Sequence, residues 1–222
     1  MSNPADKLAV VLVTSIIPMI LSLSLHEWAH AVTAVALGDD TPREQGRLTL
    51  NPVAHMTLVG TLLLPTLLAF FGLPVFGWAK PVVFSPPRLT RRISMATGVM
   101  ITAAAGPVMN LLIAIAAALL IAGWHHFGTP VDPRYLLLAG SVQYMNVMLF
   151  IVNLLPIYPL DGSSVLFGLL PSAARGSYIQ LQRWSPVLLI VLLLAGGQYI
   201  RGPADAVALG LRNFAQVVFP VS

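Results

Sequence analysis

His26, Glu27, Trp28, Ala29 and His30 form an HExxH pattern. On a helix, positions four apart lie one above the other, so the two imidazoles share a face and the carboxylate stands beside them. Two imidazoles can hold a divalent metal, and a neighbouring carboxylate can take a proton from water. Glu27 is one of only two glutamates in the chain and sits in an otherwise apolar stretch. An ionisable group at membrane depth costs at least ~2.5 kcal/mol unless partnered, so it is a functional hypothesis by default. The chain has no cysteine. Disulfides and thiol nucleophiles are thereby excluded, and any metal must be held by His, Asp or Glu.

Two histidines do not complete a catalytic zinc site, which typically has three protein ligands and an open position. Asp161 is the best candidate for the third, being the only acidic residue between Asp132 and Asp205. Its alternative reading is a helix cap after Pro159. His55, in a polar loop, and His125 and His126, at a helix end, are weaker candidates.

The elements that position these residues belong in a membrane. Of 222 residues, 57% are hydrophobic and 9% charged, against roughly 25% charged in a soluble domain. Uncharged runs cover 8–26, 48–79, 93–131, 135–160 and 184–200, several longer than the ~20 residues that cross a bilayer as a helix. They are continuously apolar rather than alternating, which excludes an outer-membrane barrel. The expected fold is an all-α polytopic membrane protein with about 5–6 membrane segments, one a re-entrant hairpin, and a short membrane-associated β element. The net charge of +4 reports loop orientation rather than nucleic-acid binding.

A first helix is expected over 8–37, ending at Gly38. Its apolar stretch exceeds a signal-peptide core. The polar stretch 39–56 contains an alternating Leu48, Thr49, Leu50 before Asn51 and Pro52, which reads as a short strand and a turn. Residues 57–76 carry Pro65, Gly72 and Pro74 and are read as either spanning or re-entering. Further spans are expected over 93–123, 135–155 and 184–200. An amphipathic helix over 203–221 should lie along the interface, because Val207, Ala208, Leu211, Ala215 and Val218 recur at helical spacing opposite Asp205, Arg212 and Gln216. The chain reads as one domain, 1–222, with a catalytic core over about 8–170.

HExxH in the first span, Ala105-Gly106-Pro107-Val108-Met109-Asn110 in a middle span and Asn153-Leu154-Leu155-Pro156-Ile157-Tyr158-Pro159-Leu160-Asp161-Gly162 in a later one resemble, in order and spacing, the site-2 protease family of intramembrane zinc metalloproteases. Gly46-Arg47-Leu48-Thr49-Leu50-Asn51-Pro52, Gly60-Thr61-Leu62-Leu63-Leu64-Pro65 and Phe76-Gly77-Trp78-Ala79-Lys80-Pro81-Val82 are similar to its compact bacterial branch without a PDZ or CBS domain. The likeness covers roughly 10–170. One departure is Thr57, where that branch commonly has Asp.

The resemblance implies that His26, His30 and Asp161 ligate one Zn2+ per chain and that Glu27 is the catalytic base. It also places Asn153, and less directly Asn110, near the site, as groups that would hydrogen-bond substrate or an oxyanion. The alternative for each Asn is an interhelical hydrogen bond that only fixes packing. For His30 and Asp161 to meet at one depth, their helices should run parallel. An odd number of crossings must then separate them, so 57–76 should dip in and return. That gathers Arg43, Arg47, Lys80, Arg88, Arg91 and Arg92 on one side, with Lys7 and Arg134 opposite, and opens the site towards the cytoplasm.

The expected activity is hydrolysis of peptide bonds within or near transmembrane segments of membrane-protein substrates, as in regulated intramembrane proteolysis. A helical substrate must be locally unwound, and a 47–50 strand would pair with it by β-augmentation. The expected setting is a bacterial inner membrane, with the lipid bilayer and transmembrane proteins as partners and no nucleic acid. Two rival readings are a membrane metal transporter and an inactive scaffold that binds membrane helices. A transporter would stack polar residues along a path, whereas Glu27 and Asp161 describe a point.

Overall fold

The computed structural model describes residues 10–71, 75–89, 93–128 and 130–220. Three described helices are long and apolar enough to cross a membrane: α1 (Leu12–Ala36), a middle helix (Met95–His126) and a later one (Pro133–Asn153). α1 opens with a π-helical turn, Leu12–Ile16. It ends where Gly38, at φ +107°, takes the left-handed conformation that a side chain disfavours. The amides of Gly38 and Asp39 then close back on Val35 and Ala34.

Beyond α1, short helices α2 (Thr41–Glu44) and α3 (Pro52–His55) frame a closed loop. Among the described residues there is no strand, and the one expected at 48–50 is a bend. Its backbone acceptors are taken locally. His55, fully buried, meets the Thr49 carbonyl through Nε2 at 2.9 Å, and the buried Arg47 guanidinium binds the Ala54 carbonyl. A side chain that takes a backbone acceptor of its own loop competes with a ladder for it.

Helix α4 covers Leu58–Phe70, about 20 Å, shorter than the ~30 Å hydrocarbon core. Thr57 caps it, accepting from the Gly60 amide at 3.0 Å, a role Asp would fill equally well. The chain then returns beside its own start. Trp78 N–H donates to the Gly60 carbonyl at 3.1 Å, Thr61 Oγ1 to the Trp78 carbonyl at 2.9 Å, and Lys80 N–H to the His55 carbonyl at 2.7 Å. Gly60 permits this because a Cβ there would lie 2.6 Å from Trp78 Cδ2. Residues 58–71 and 75–80 therefore lie side by side as the two limbs of a hairpin. Residues 72–74, with Gly72 and Pro74, lie outside the described residues.

Helix α5 is Met95–His126, capped by Ser94, whose hydroxyl accepts from Thr97 N–H at 3.2 Å. Its buried positions are mostly small: Ala96, Gly98, Ala103, Gly106, Ala114, Ala117, Ala118 and Ala122. In lipid, helix association rests on close packing and interhelical hydrogen bonds rather than on expulsion of water, and small residues let backbones approach. α6 (Pro133–Asn153) follows a short connector and runs back along α5. Ser22 of α1 meets Asn146 of α6, while Met19 and Leu23 pack with Met145 and Leu149. α1 and α6 are therefore parallel, both antiparallel to α5, as the depth requirement predicted.

After a break at 154–160, α7 (Asp161–Leu169) continues towards the same end as α1, with Gly168 against Ala96 and Met100. α8 (Ser172–Leu181), α9 (Ser185–Ala195) and α10 (Gly197–Val218) complete the described chain. The expected division into 184–200 and 203–221 is shifted, because Pro203 lies inside α10 rather than at its start. α10 turns a row of alanines towards the bundle. Ala204 and Ala208 pack with Ala114 and Val147, and Ala215 packs with Ala118 and Ala122. Alanines at i, i+4 and i+11 make a narrow face that docks lengthwise on α5 and α6.

Candidate metal centre

His26 and His30 are buried on one face of α1, their rings 4.6 Å apart at 87°. His30 Nδ1 lies 2.7 Å from the Thr102 carbonyl of α5. A carbonyl only accepts, so that nitrogen carries the proton and Nε2 keeps its lone pair. His26 Nδ1 lies 2.6 Å from Asn110 Oδ1, also on α5, which leaves the same result. The two Nε2 atoms face each other at 3.0 Å.

Asp161 completes the set from the first turn of α7. Its Oδ2 is 3.1 Å from His26 Nε2 and its Oδ1 3.4 Å from His30 Nε2. The turn that delivers it is tight. A Cβ at Gly162 would lie 2.5 Å from the Leu155 carbonyl oxygen and closer still to that of Leu154, so only glycine lets the 154–160 break fold against the head of α7.

In their neutral form the two imidazoles thus turn their remaining lone pairs, with a carboxylate, towards one point. Their candidate ligand atoms lie within 4.8 Å of one another, and buried Asp161 Oδ2 has no hydrogen-bond donor. Acceptors gathered this way repel unless a cation sits between them. Gly106 of α5 keeps that position clear. A Cβ there would lie 2.6 Å from His26 Nε2 and closer still to His30 Nε2. The donor set, two nitrogens and a carboxylate oxygen, suits zinc.

Glu27 is half-buried beside this cluster. Its Oε2 accepts from the Val82 backbone N–H at 2.8 Å, where the returning limb of the hairpin crosses α1. Trp78, Lys80 and Val82, at alternate positions of this limb, donate to the Gly60 carbonyl, the His55 carbonyl and Glu27.

The chain is similar to the protein named "Putative zinc metalloprotease YwhC" of Bacillus subtilis, with 35% identity over 200 residues, covering 85% of this chain and 84% of that protein. It is similar also to two proteins named "Putative zinc metalloprotease Rip2". That of Mycolicibacterium smegmatis is 30% identical over 175 residues, and that of Mycobacterium tuberculosis strain H37Rv is 30% identical over 177. Each match covers 79% of this chain but only 64% of the Rip2 protein. The chain belongs to the site-2 protease family. No family model and no solved structure matches it.

Within this site-2 protease, the remaining sequence candidates fall apart from one another. Asn110 is fully buried behind His26, with both ends of its amide engaged. Asn153 is half-buried and donates through Nδ2 to the Leu149 carbonyl of its own helix at 3.0 Å. His55 is locked in the 47–55 loop, and His126 pairs with the Pro220 carbonyl at the far end of α5. Among the described residues, His26, His30 and Asp161 are the one group of three potential metal ligands.

Gly106, Val82 and Asn146 were not predicted from the residues. Gly106 lies in a quoted motif, but its part depends on how two helices cross. Val82 acts through its backbone and leaves no side-chain signal. Asn146, a polar residue in an apolar span, was the one detectable case.

Proposed function

We propose that this chain is an intramembrane zinc endopeptidase that hydrolyses peptide bonds within or near the transmembrane segments of other membrane proteins, as in regulated intramembrane proteolysis. The observation that carries this reading is the convergence of three potential ligand atoms, with a held carboxylate beside them, inside a bundle of apolar helices. His26 lies ten residues before the end of α1, about 15 Å along its axis, which favours a site within the ~30 Å hydrocarbon layer. Relatives named zinc metalloproteases support the metal and the reaction class.

His26, His30 and Asp161 would hold zinc, which supplies a Lewis acid and lowers the pKa of water towards ~7. The remaining work belongs to the chain. Val82 fixes one oxygen of Glu27, leaving the other to take a proton from the attacking water and deliver it to the departing amide nitrogen. As the carbon–oxygen bond forms, the carbon–nitrogen bond breaks, and the water ends divided between the new carboxyl and amine. A substrate helix must unwind first. The 75–83 segment, whose Trp78, Lys80 and Val82 amides are already bonded, would offer its remaining backbone groups for it to pair with.

Arg43 and Arg88 lie near the α1 C-terminal end, Arg134 at the opposite one. The positive-inside rule then favours a site nearer the cytoplasmic face of a bacterial inner membrane.

The test is zinc content together with cleavage of a reconstituted transmembrane substrate. Wild type should hold about one zinc, and Asp161→Ala should lose most of it. Glu27→Gln should keep the metal while turnover falls by about 10²–10⁴. Wild type without zinc under metal-replete conditions, or an active Glu27→Gln, would overturn the proposal.

A further inference from the structure

We infer that Asn146 is a positioning residue of the metal centre. Acting through Asn110, it holds His26 in the tautomer that turns a lone pair towards the metal. This rests on the reading that His26, His30 and Asp161 hold zinc.

The two histidines reach the same protonation state by different means. His30 faces a backbone carbonyl, Thr102, which cannot be turned over. His26 faces the Asn110 side-chain amide, which can present either an oxygen or an NH2 group. Were Asn110 reversed, it would donate to His26 Nδ1. The ring would then carry its proton on Nε2, aimed at Asp161, and an imidazole–carboxylate hydrogen bond would fill the metal position.

Asn146 decides between the two orientations. Its Nδ2 donates to the Val142 carbonyl at 2.9 Å and to Ser22 Oγ at 2.8 Å. Because Val142 offers only an acceptor, the Asn146 NH2 is the end that faces it, and Oδ1 is the end presented to Asn110. Asn110 Nδ2 then donates to Asn146 Oδ1 at 3.1 Å, and Asn110 Oδ1 is left for His26. Asn110 and Asn146 are fully buried and Ser22 nearly so, so water cannot substitute for a lost partner. A direction set by one backbone carbonyl on α6 thus passes through two amides to the metal-facing nitrogen on α1. Outer hydrogen bonds of this kind commonly change metal affinity 10–100-fold when removed.

A residue that only braced α6 against α5 would give the same hydrogen bond, so the test separates the two roles. Zinc affinity is measured by chelator competition on the full chain in detergent, for Asn146→Leu in the wild-type background and in an Asn110→Asp background. A carboxylate accepts with either oxygen and needs no orienting. Asn146→Leu should therefore weaken zinc at least tenfold beside Asn110 and less than twofold beside the aspartate. Gln143→Leu, one turn away and bonded to the Ala208 carbonyl of α10, should leave affinity unchanged. Asn146→Ala, which adds no volume, replaces the leucine variant if that one does not fold. In parallel, nitrogen NMR of metal-free, histidine-labelled protein should show His26 protonated on Nδ1 in wild type and redistributed towards Nε2 in the Asn146 variant. Equal losses in both backgrounds, no loss in either, or an unchanged His26 tautomer would overturn the inference. If wild type takes up no zinc, the metalloprotease reading fails on its own, and the tautomer measurement still decides the role of Asn146.

Discussion

The Val82 amide donates to Glu27 Oε2 at 2.8 Å, joining the returning limb of the hairpin to the helix that carries both histidines. A backbone donor cannot change rotamer, and it biases the carboxylate towards one orientation without competing for the metal. Val82→Pro removes this N–H at a position that follows Pro81 and lies outside any helix, a setting proline tolerates. Turnover of a reconstituted substrate should fall about tenfold to a hundredfold, as expected for loss of a hydrogen bond to a charged group, while zinc content stays at the wild-type level. Unchanged turnover would remove Val82 from the account.

Gly106 tests the metal position from the opposite side. Because the added methyl of Gly106→Ala would stand between the two Nε2 atoms, zinc content should drop to near that of Asp161→Ala. Helix propensity rises with the change, so the variant should be no less helical by circular dichroism. Full zinc retention would show that the ion sits elsewhere.

Much of this centre was legible because it is local. HExxH lies within one turn and a half of helix, so spacing alone puts both imidazoles on one face, and the long apolar runs marked the three crossing helices by length. What was hidden depends on crossings. The period-two alternation of Leu48, Thr49 and Leu50 suggested a strand, but His55 takes the Thr49 carbonyl that a ladder would need. The polar stripe of α10 showed that its faces differ. It did not show that an alanine face would find α5 and α6. Gly106 and Asn146 matter only once α5 packs against both α1 and α6.

Asp39, just beyond α1, ties that helix to the turn following the Val82 segment. Its side chain is fully buried. Burial pushes the carboxyl up, but hydrogen bonds from the Thr41 hydroxyl and the Ser85 and Thr41 amides, with the Arg88 charge, outweigh it and hold the pKa below the usual 3.8. The folded-state value is the lower one, so the stabilisation is fully present above about pH 4 and is lost as pH falls through the folded value. Asp39→Asn should lower Tm in detergent by a few degrees at pH 7, corresponding to about 1–3 kcal/mol. The gap from wild type should narrow below about pH 4; a gap constant to pH 3 would mean that the charge contributes nothing.

Gly162 offers a test of how Asp161 is delivered. A Cβ at Gly162 would run into the Leu154 and Leu155 carbonyls, so the Gly162→Ala methyl must push either the 154–160 break or the head of α7 aside. Overpacking of this kind costs about 1–3 kcal/mol, and the displaced element is the one carrying the third ligand. The atoms nearest the added group belong to Leu154 and Leu155, whereas the two histidines are held on α1 by Thr102 and Asn110 of α5. Zinc affinity should therefore fall towards that of Asp161→Ala while the His26 tautomer, read by nitrogen NMR in the metal-free protein, stays as in wild type. Loss of both together would mean that the 154–160 break supports the histidine pair as well as the aspartate.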